Sequence, residues 1–118
     1  MSNYIKVPLS ARAGGKPIQI TGTSLAGATL IHTAITGTSF WDEIWLWVVN
    51  VQATAENVTI AWGYDNTDQT LACKTVSVPA NSTPILVCPG FVLQNARTLK
   101  AYAGTSGYIN CLGFVRRI

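Results

Sequence analysis

The run Glu43-Ile44-Trp45-Leu46-Trp47-Val48-Val49-Asn50-Val51 constrains the fold more than any other part of the chain. Its branched and aromatic residues read as a strand, in which successive side chains point to opposite faces. Ile44, Leu46 and Val48 then form one face, and Trp45, Trp47, Val49 and Val51 the other. Both faces are apolar. A strand in a two-layer sheet protein has one face in the core and one in water, so this strand needs a second cover. Alternation alone leaves open which face is the core. Either the tryptophans meet another molecule, or they fill the interior while the smaller face is tucked beneath a loop.

The same period of two continues from residue 28 to the C-terminus, and no segment keeps helical spacing for long. Strands are expected at 28–35, 43–53, 57–64, 72–78, 85–88, 98–103 and 108–116. Turn chemistry separates them: Thr36-Gly37-Thr38, Asp65-Asn66-Thr67-Asp68, Pro79-Ala80-Asn81-Ser82, Pro89-Gly90 and Gly104-Thr105-Ser106-Gly107. At 118 residues the chain is large enough for one core and too small for two. The expected fold is all-β: a single β-sandwich over residues 28–118 of about seven antiparallel strands, jelly-roll or immunoglobulin-like. Residues 1–27 differ. They hold Pro8, Gly14-Gly15, Pro17, Gly22 and Gly27, with short alternating runs at Ile5/Val7/Leu9 and Ile18/Ile20. They read as an extended N-terminal arm able to add a strand to another chain's sheet.

Only 11% of residues are charged, against about 25% in a typical soluble domain. With four tryptophans in a small chain, this deficit points to surface covered by further copies, and a homo-oligomer is expected. Trp45, Trp47, Val49 and Val51 are the candidate oligomer interface. The net charge of +3 comes partly from Lys6, Arg12 and Lys16 in the arm. No basic stripe of the kind that binds nucleic acid is present, so no nucleic-acid partner is expected. Cys73, Cys88 and Cys111 have neither disulfide-framework nor zinc spacing and read as small buried hydrophobes. No stretch approaches 18 apolar residues and no signal-peptide core is evident. Synthesis in the cytoplasm without membrane insertion is the expectation.

No catalytic constellation assembles from these residues. His32 is the only histidine, and no nucleophile motif accompanies it. Asp42 and Glu43 are adjacent and splay to opposite faces of an extended strand, so they do not pair across a glycosidic bond. Asp65–Gln69 lacks the glycine and terminal glutamate of a calcium loop, and no phosphate-binding loop is present. Neither an enzyme activity, a metal, a cofactor nor a small-molecule substrate is expected. Trp41, Trp45, Trp47, Trp62, Tyr64, Tyr102 and Tyr108 would also suit a sugar-stacking platform, which makes a carbohydrate-binding module an alternative to a protein interface.

Several segments together carry a resemblance: Leu30-Ile31-His32-Thr33-Ala34, Trp41-Asp42-Glu43-Ile44-Trp45-Leu46, Val58-Thr59-Ile60-Ala61-Trp62-Gly63, Pro79-Ala80-Asn81 and Gly113-Phe114-Val115-Arg116-Arg117-Ile118. Over residues 28–118 the chain resembles small virion proteins of tailed bacteriophages. The resemblance implies a capsid decoration, or cement, β-sandwich on the outer head surface. Such proteins often form trimers at local three-fold positions and bind the major capsid protein. It implies virion localisation, and for the arm residues Ile5, Lys6, Val7, Leu9, Arg12 and Lys16 a role in gripping the lattice. Related sandwiches also serve as head-tail connector or tail subunits.

Overall fold

A computed structural model describes residues 4–63 and 71–118, with backbone alone for 71–74. Nine strands run through the described residues: β1 (Ile5–Pro8), β2 (Ile18–Ile20), β3 (Thr29–Thr33), β4 (Asp42–Asn50), β5 (Glu56–Trp62), β6 (Leu71–Val78), β7 (Ile85–Leu93), β8 (Thr98–Ala103) and β9 (Ile109–Arg117). Every ladder is antiparallel. One sheet has the order β1-β9-β4-β7, with β2 following β1 along the same edge of β9; the other has the order β3-β8-β5-β6.

The pairings are nested. β5 pairs with β6, β4 with β7, β3 with β8 and β2 with β9. The chain is thus one long hairpin rolled over on itself, and the lateral ladders β4·β9 and β5·β8 complete the two sheets. This is the strand order of a jelly roll, a two-sheet sandwich built from Greek keys.

The alternation in β4 resolves with the aliphatic face inward. Ile44, Leu46 and Val48 are fully buried and join a core that includes Val58 and Ile60 from β5, Leu99 from β8 and Val115 from β9. Packed sheets lie about 10 Å apart, a gap that branched aliphatics from both layers fill. Each such side chain contributes roughly 1.5–3 kcal/mol by leaving water. Trp45 and Trp47 are left on the outer face, half-buried.

Of the register shifts in the ladders, one in β3 and one in β7 bear on the site. In β3, Leu30 lies opposite Lys100 and His32 opposite Leu99, so Ile31 is an extra residue and both Ile31 and His32 turn inward. In β7, Phe91 lies opposite Ile44 and Pro89 opposite Trp45, which leaves Gly90 unpaired at φ 84°. Pro89-Gly90 therefore does not end the strand at Cys88. β7 is an edge strand, where proline's missing N–H is tolerated, and glycine adopts the left-handed conformation that the bulge needs.

The N-terminal segment lies along its own sandwich. β1 pairs with Phe114–Arg117 and β2 with Ile109–Cys111, while Leu9, Ile18 and Ile20 are buried in the shared core. The boundary drawn at residue 27 thus does not divide the core. The turn expected at Asp65–Asp68, together with Tyr64, falls outside the described residues. Cys88 and Cys111 are buried, and burial pushes the Cys111 thiol far up.

Candidate functional site

The outer face of the five-stranded sheet is laid out by register. One cross-strand row runs Val92, Glu43, Arg116, Lys6; the next runs Pro89, Trp45, Phe114, Pro8; a third runs Leu86, Trp47, Leu112. Charge is confined to the first row, and the two behind it are apolar. Trp45, Trp47 and Phe114 form a mutually offset-stacked trio, with centroids 6.2–6.5 Å apart and planes within 29° of parallel. Aromatic pairs at such separations contribute about 0.5–1.5 kcal/mol beyond area burial.

Charged side chains frame the trio. Lys6 Nζ lies 4.9 Å from the Phe114 centroid, and the Arg116 guanidinium stacks 4.0 Å from the Tyr4 centroid. Trp45 Nε1 donates to Glu43 Oε1 at 2.9 Å, and Arg116 approaches the same carboxylate oxygen at 3.6 Å. Arg116 Nε is buried and has no hydrogen-bond partner. Tyr4, Lys6, Trp45, Trp47, Phe114 and Arg116 line an open depression of about 340 Å³.

Gly90 holds the Trp45 ring in place. A Cβ at this position would lie 2.9 Å from Trp45 Cζ2 and 3.2 Å from Glu43 Oε1, and its φ already disfavours any other residue. Gly90→Ala is therefore expected to lose about 1–2 kcal/mol from the left-handed backbone and to displace the indole. Urea unfolding should read the loss, and red-shifted tryptophan emission the displacement. An unchanged spectrum would show that Gly90 does not position the ring.

A second constellation lies beneath the first. Asp42, fully buried at the start of β4, accepts hydrogen bonds from His32 Nε2 (2.7 Å), from Arg117 Nε (2.7 Å) and NH2 (2.9 Å), and from the Ile35 amide (3.2 Å). Burial would raise the Asp42 pKa, but the bonds from Arg117 and His32 outweigh it and hold the carboxyl below its usual value. Burial lowers the His32 pKa, against the pull of Asp42. The other ring nitrogen, Nδ1, accepts from the Ser10 amide at 3.1 Å. This fixes the tautomer: the proton is on Nε2.

A histidine held by a carboxylate is half of a triad, but a triad base keeps its second nitrogen for a nucleophile's proton. Here that nitrogen is occupied by a backbone amide, and His32 is 1% exposed. The Ser10 hydroxyl instead accepts from the Thr33 amide at 2.7 Å. The network joins the N-terminal segment, β3, β4 and β9. Among the described residues no group of three or more His, Cys, Asp or Glu side chains is arranged to hold a metal ion, and no helix is long and apolar enough to cross a membrane.

Of the candidate interface residues, Trp45, Trp47 and Val49 share the outer face of β4, while Val51 lies beyond its end and is exposed. Of the arm residues, Ile5, Lys6 and Val7 lie in β1 beside β9, Leu9 is buried, and Arg12 and Lys16 are exposed in the β1–β2 connection. Phe114, Arg116, Glu43 and Tyr4 were not expected at the site. Glu43 stands on β4 itself; Phe114 and Arg116 reach the site because β9 pairs with β4, and Tyr4 because β1 pairs with β9, pairings that local sequence does not encode. No protein-family model, no curated protein and no solved structure matches the chain.

Proposed function

We propose that the chain is a non-catalytic virion subunit that self-associates through the outer face of its five-stranded sheet and decorates a capsid. The observation that carries this reading is the aromatic trio Trp45, Trp47 and Phe114, set in two apolar rows beside a charged one and left half-buried on a folded chain. Aromatic residues in a desolvated patch with a charged rim are the composition of an interface centre. Jelly rolls recur among viral capsid domains, and the resemblance of residues 28–118 to phage virion proteins points the same way. A trimer around a local three-fold axis is the expected assembly and the major capsid protein the expected partner. Arg12 and Lys16, on an exposed connection, would face an acidic capsid surface. A head-tail connector or tail subunit would use the same self-association face.

The test is the mass of the protein in solution, by light scattering and native mass spectrometry, for the wild type and for Trp47→Glu. The wild type is expected to exceed the 12.6 kDa of one chain, with the substitution weakening association by about 30-fold or more, as for an interface hot spot. A wild type that stays monomeric at high concentration would overturn the reading. The carbohydrate alternative also has an observation in its favour: Lys6, Arg116 and Glu43 surround the rings, so the polar partners that a sugar site needs are present despite the low overall charge. It predicts glycan-array binding by a monomer, lost in Trp47→Ala.

A further inference from the structure

We infer that His32 is a proton-sensitive latch that holds the N-terminal segment against the sandwich, and that its protonation releases β1 from β9. The argument begins with the two ring nitrogens. Nε2 carries the proton given to Asp42, so Nδ1 must accept, and the Ser10 amide donates to it at 3.1 Å. A proton added at Nδ1 turns this acceptor into a donor. Two N–H groups then face each other, and the Ser10 amide has to move.

At that point the segment is held further by the buried Leu9 side chain and by two hydrogen bonds to β3. Ser10 Oγ accepts from the Thr33 amide, and the Ala11 amide donates to Ile31 O at 3.2 Å; both bonds join the same two residues to β3. β1 itself has four residues, of which only Val7 is partly buried, and Ile5 is 60% exposed. Short, solvent-facing strands at a sheet edge are where local opening costs least.

The surrounding charges do not absorb the new one. The ionisable groups facing His32 are Asp42 from β4 and Arg117 from β9; the N-terminal segment offers the Ser10 amide, and β8 places Leu99 opposite. Arg117 already neutralises Asp42 through two hydrogen bonds. A histidinium would leave the buried cluster with a surplus positive charge.

The direction with pH follows. His32 is harder to protonate when docked than its usual value of 6.5. The released state therefore binds more protons below that value, and the docked segment loses stability as pH falls through it. Asp42 stays ionised in this window, because its own pKa is lowered from 3.8.

Release has a structural consequence. Lys6 in β1 and Tyr4 just before it stack on Phe114 and Arg116 and wall the aromatic depression. Departure of β1 would expose the edge of β9 over Phe114–Arg117 and uncover the Phe114 ring, enlarging the face available to a second copy. That regulatory step rests on the self-association reading; the latch itself does not.

Amide hydrogen exchange on the whole protein, corrected for intrinsic rates and compared at about pH 7.5 and about pH 5, reads the latch without reference to assembly. Relative to β4 amides, protection across residues 5–11 should fall by about tenfold or more at the lower pH. In His32→Asn, which keeps an acceptor near Ser10 but cannot be protonated, that ratio should not change. In wild-type protein, ring nitrogen chemical shifts should show the Nε2–H tautomer at neutral pH and ring protonation at the pH where residues 5–11 open. A constant ratio in the wild type, the same fall in His32→Asn, opening of β4 together with the segment, or ring protonation without release would each overturn the latch.

Discussion

Replacing Asp42 with alanine should lower the unfolding free energy by about 3 kcal/mol and the melting temperature by roughly 12 °C, at about 4 °C per kcal/mol for a chain of this size. The carboxylate is fully buried and is the one group that bonds His32, Arg117 and the Ile35 amide together. Its removal leaves a buried ring N–H without an acceptor and a guanidinium without its counter-charge. Breaking a buried pair from one side costs about 3–5 kcal/mol because the remaining partner stays desolvated. The lower end applies here, since the Arg117 side chain is 30% exposed and turns to water. Urea denaturation followed by tryptophan emission measures the loss, and a deficit below about 1 kcal/mol would show that solvent replaces the network. The folded pKa of Asp42 is depressed, so its contribution is present above 3.8 and is lost as pH falls through the folded value. The gap between wild type and variant should narrow in that acid range.

The polarity of this network shows how far local sequence reaches. A period of two places Asp42 and Glu43 on opposite faces, and it holds: Asp42 points into the core and Glu43 to the outer face, beside Trp45. The same rule could not bring Arg117 to Asp42, because 75 residues separate them and only the β4·β9 ladder sets them opposite. Nor could it turn His32 inward. That orientation comes from the extra residue at Ile31, and a bulge leaves no mark on the apolar pattern it interrupts. Pro89-Gly90 fails for a related reason. The pair has the composition of a turn, and its place inside β7 depends on β7 being an edge strand, which is a property of the whole sheet. The β4 run was legible as a strand with two apolar faces, but the choice between them waited on which of them the opposite sheet covers. The short N-terminal runs were legible as strands, but as ones for another chain's sheet; that the edge of β9 in the same chain receives them is a matter of topology.

Gly113→Ala should be nearly as damaging, although it adds a single methyl group to an unremarkable strand. Gly113 lies opposite Leu46 in the β4·β9 ladder, which joins the two central strands of the five-stranded sheet. A Cβ built there would overlap the Trp45 carbonyl oxygen and lie 3.2 Å from Leu46 Cα. Both neighbours are main chain, so no rotamer change relieves the contact. A glycine inside a strand weakens it unless another backbone comes close, and here one does. Relief requires the two strands to move apart, which disturbs the packing of Leu46 and the stacking of Trp45 on Phe114 on opposite faces at once. Overpacking of a core costs about 1–3 kcal/mol, and a clash of backbone against backbone belongs at the upper end. A loss of about 3 kcal/mol is expected, with near-ultraviolet circular dichroism of the aromatic trio altered even under folding conditions. The Gly90→Ala change moves only Trp45 and should leave the ladder intact, so the two variants separate a disturbed ring from a disturbed sheet. A Gly113→Ala protein with wild-type stability and an unchanged aromatic spectrum would mean that β4 and β9 yield at this point, and that the close approach of their backbones is not required for the stacked face.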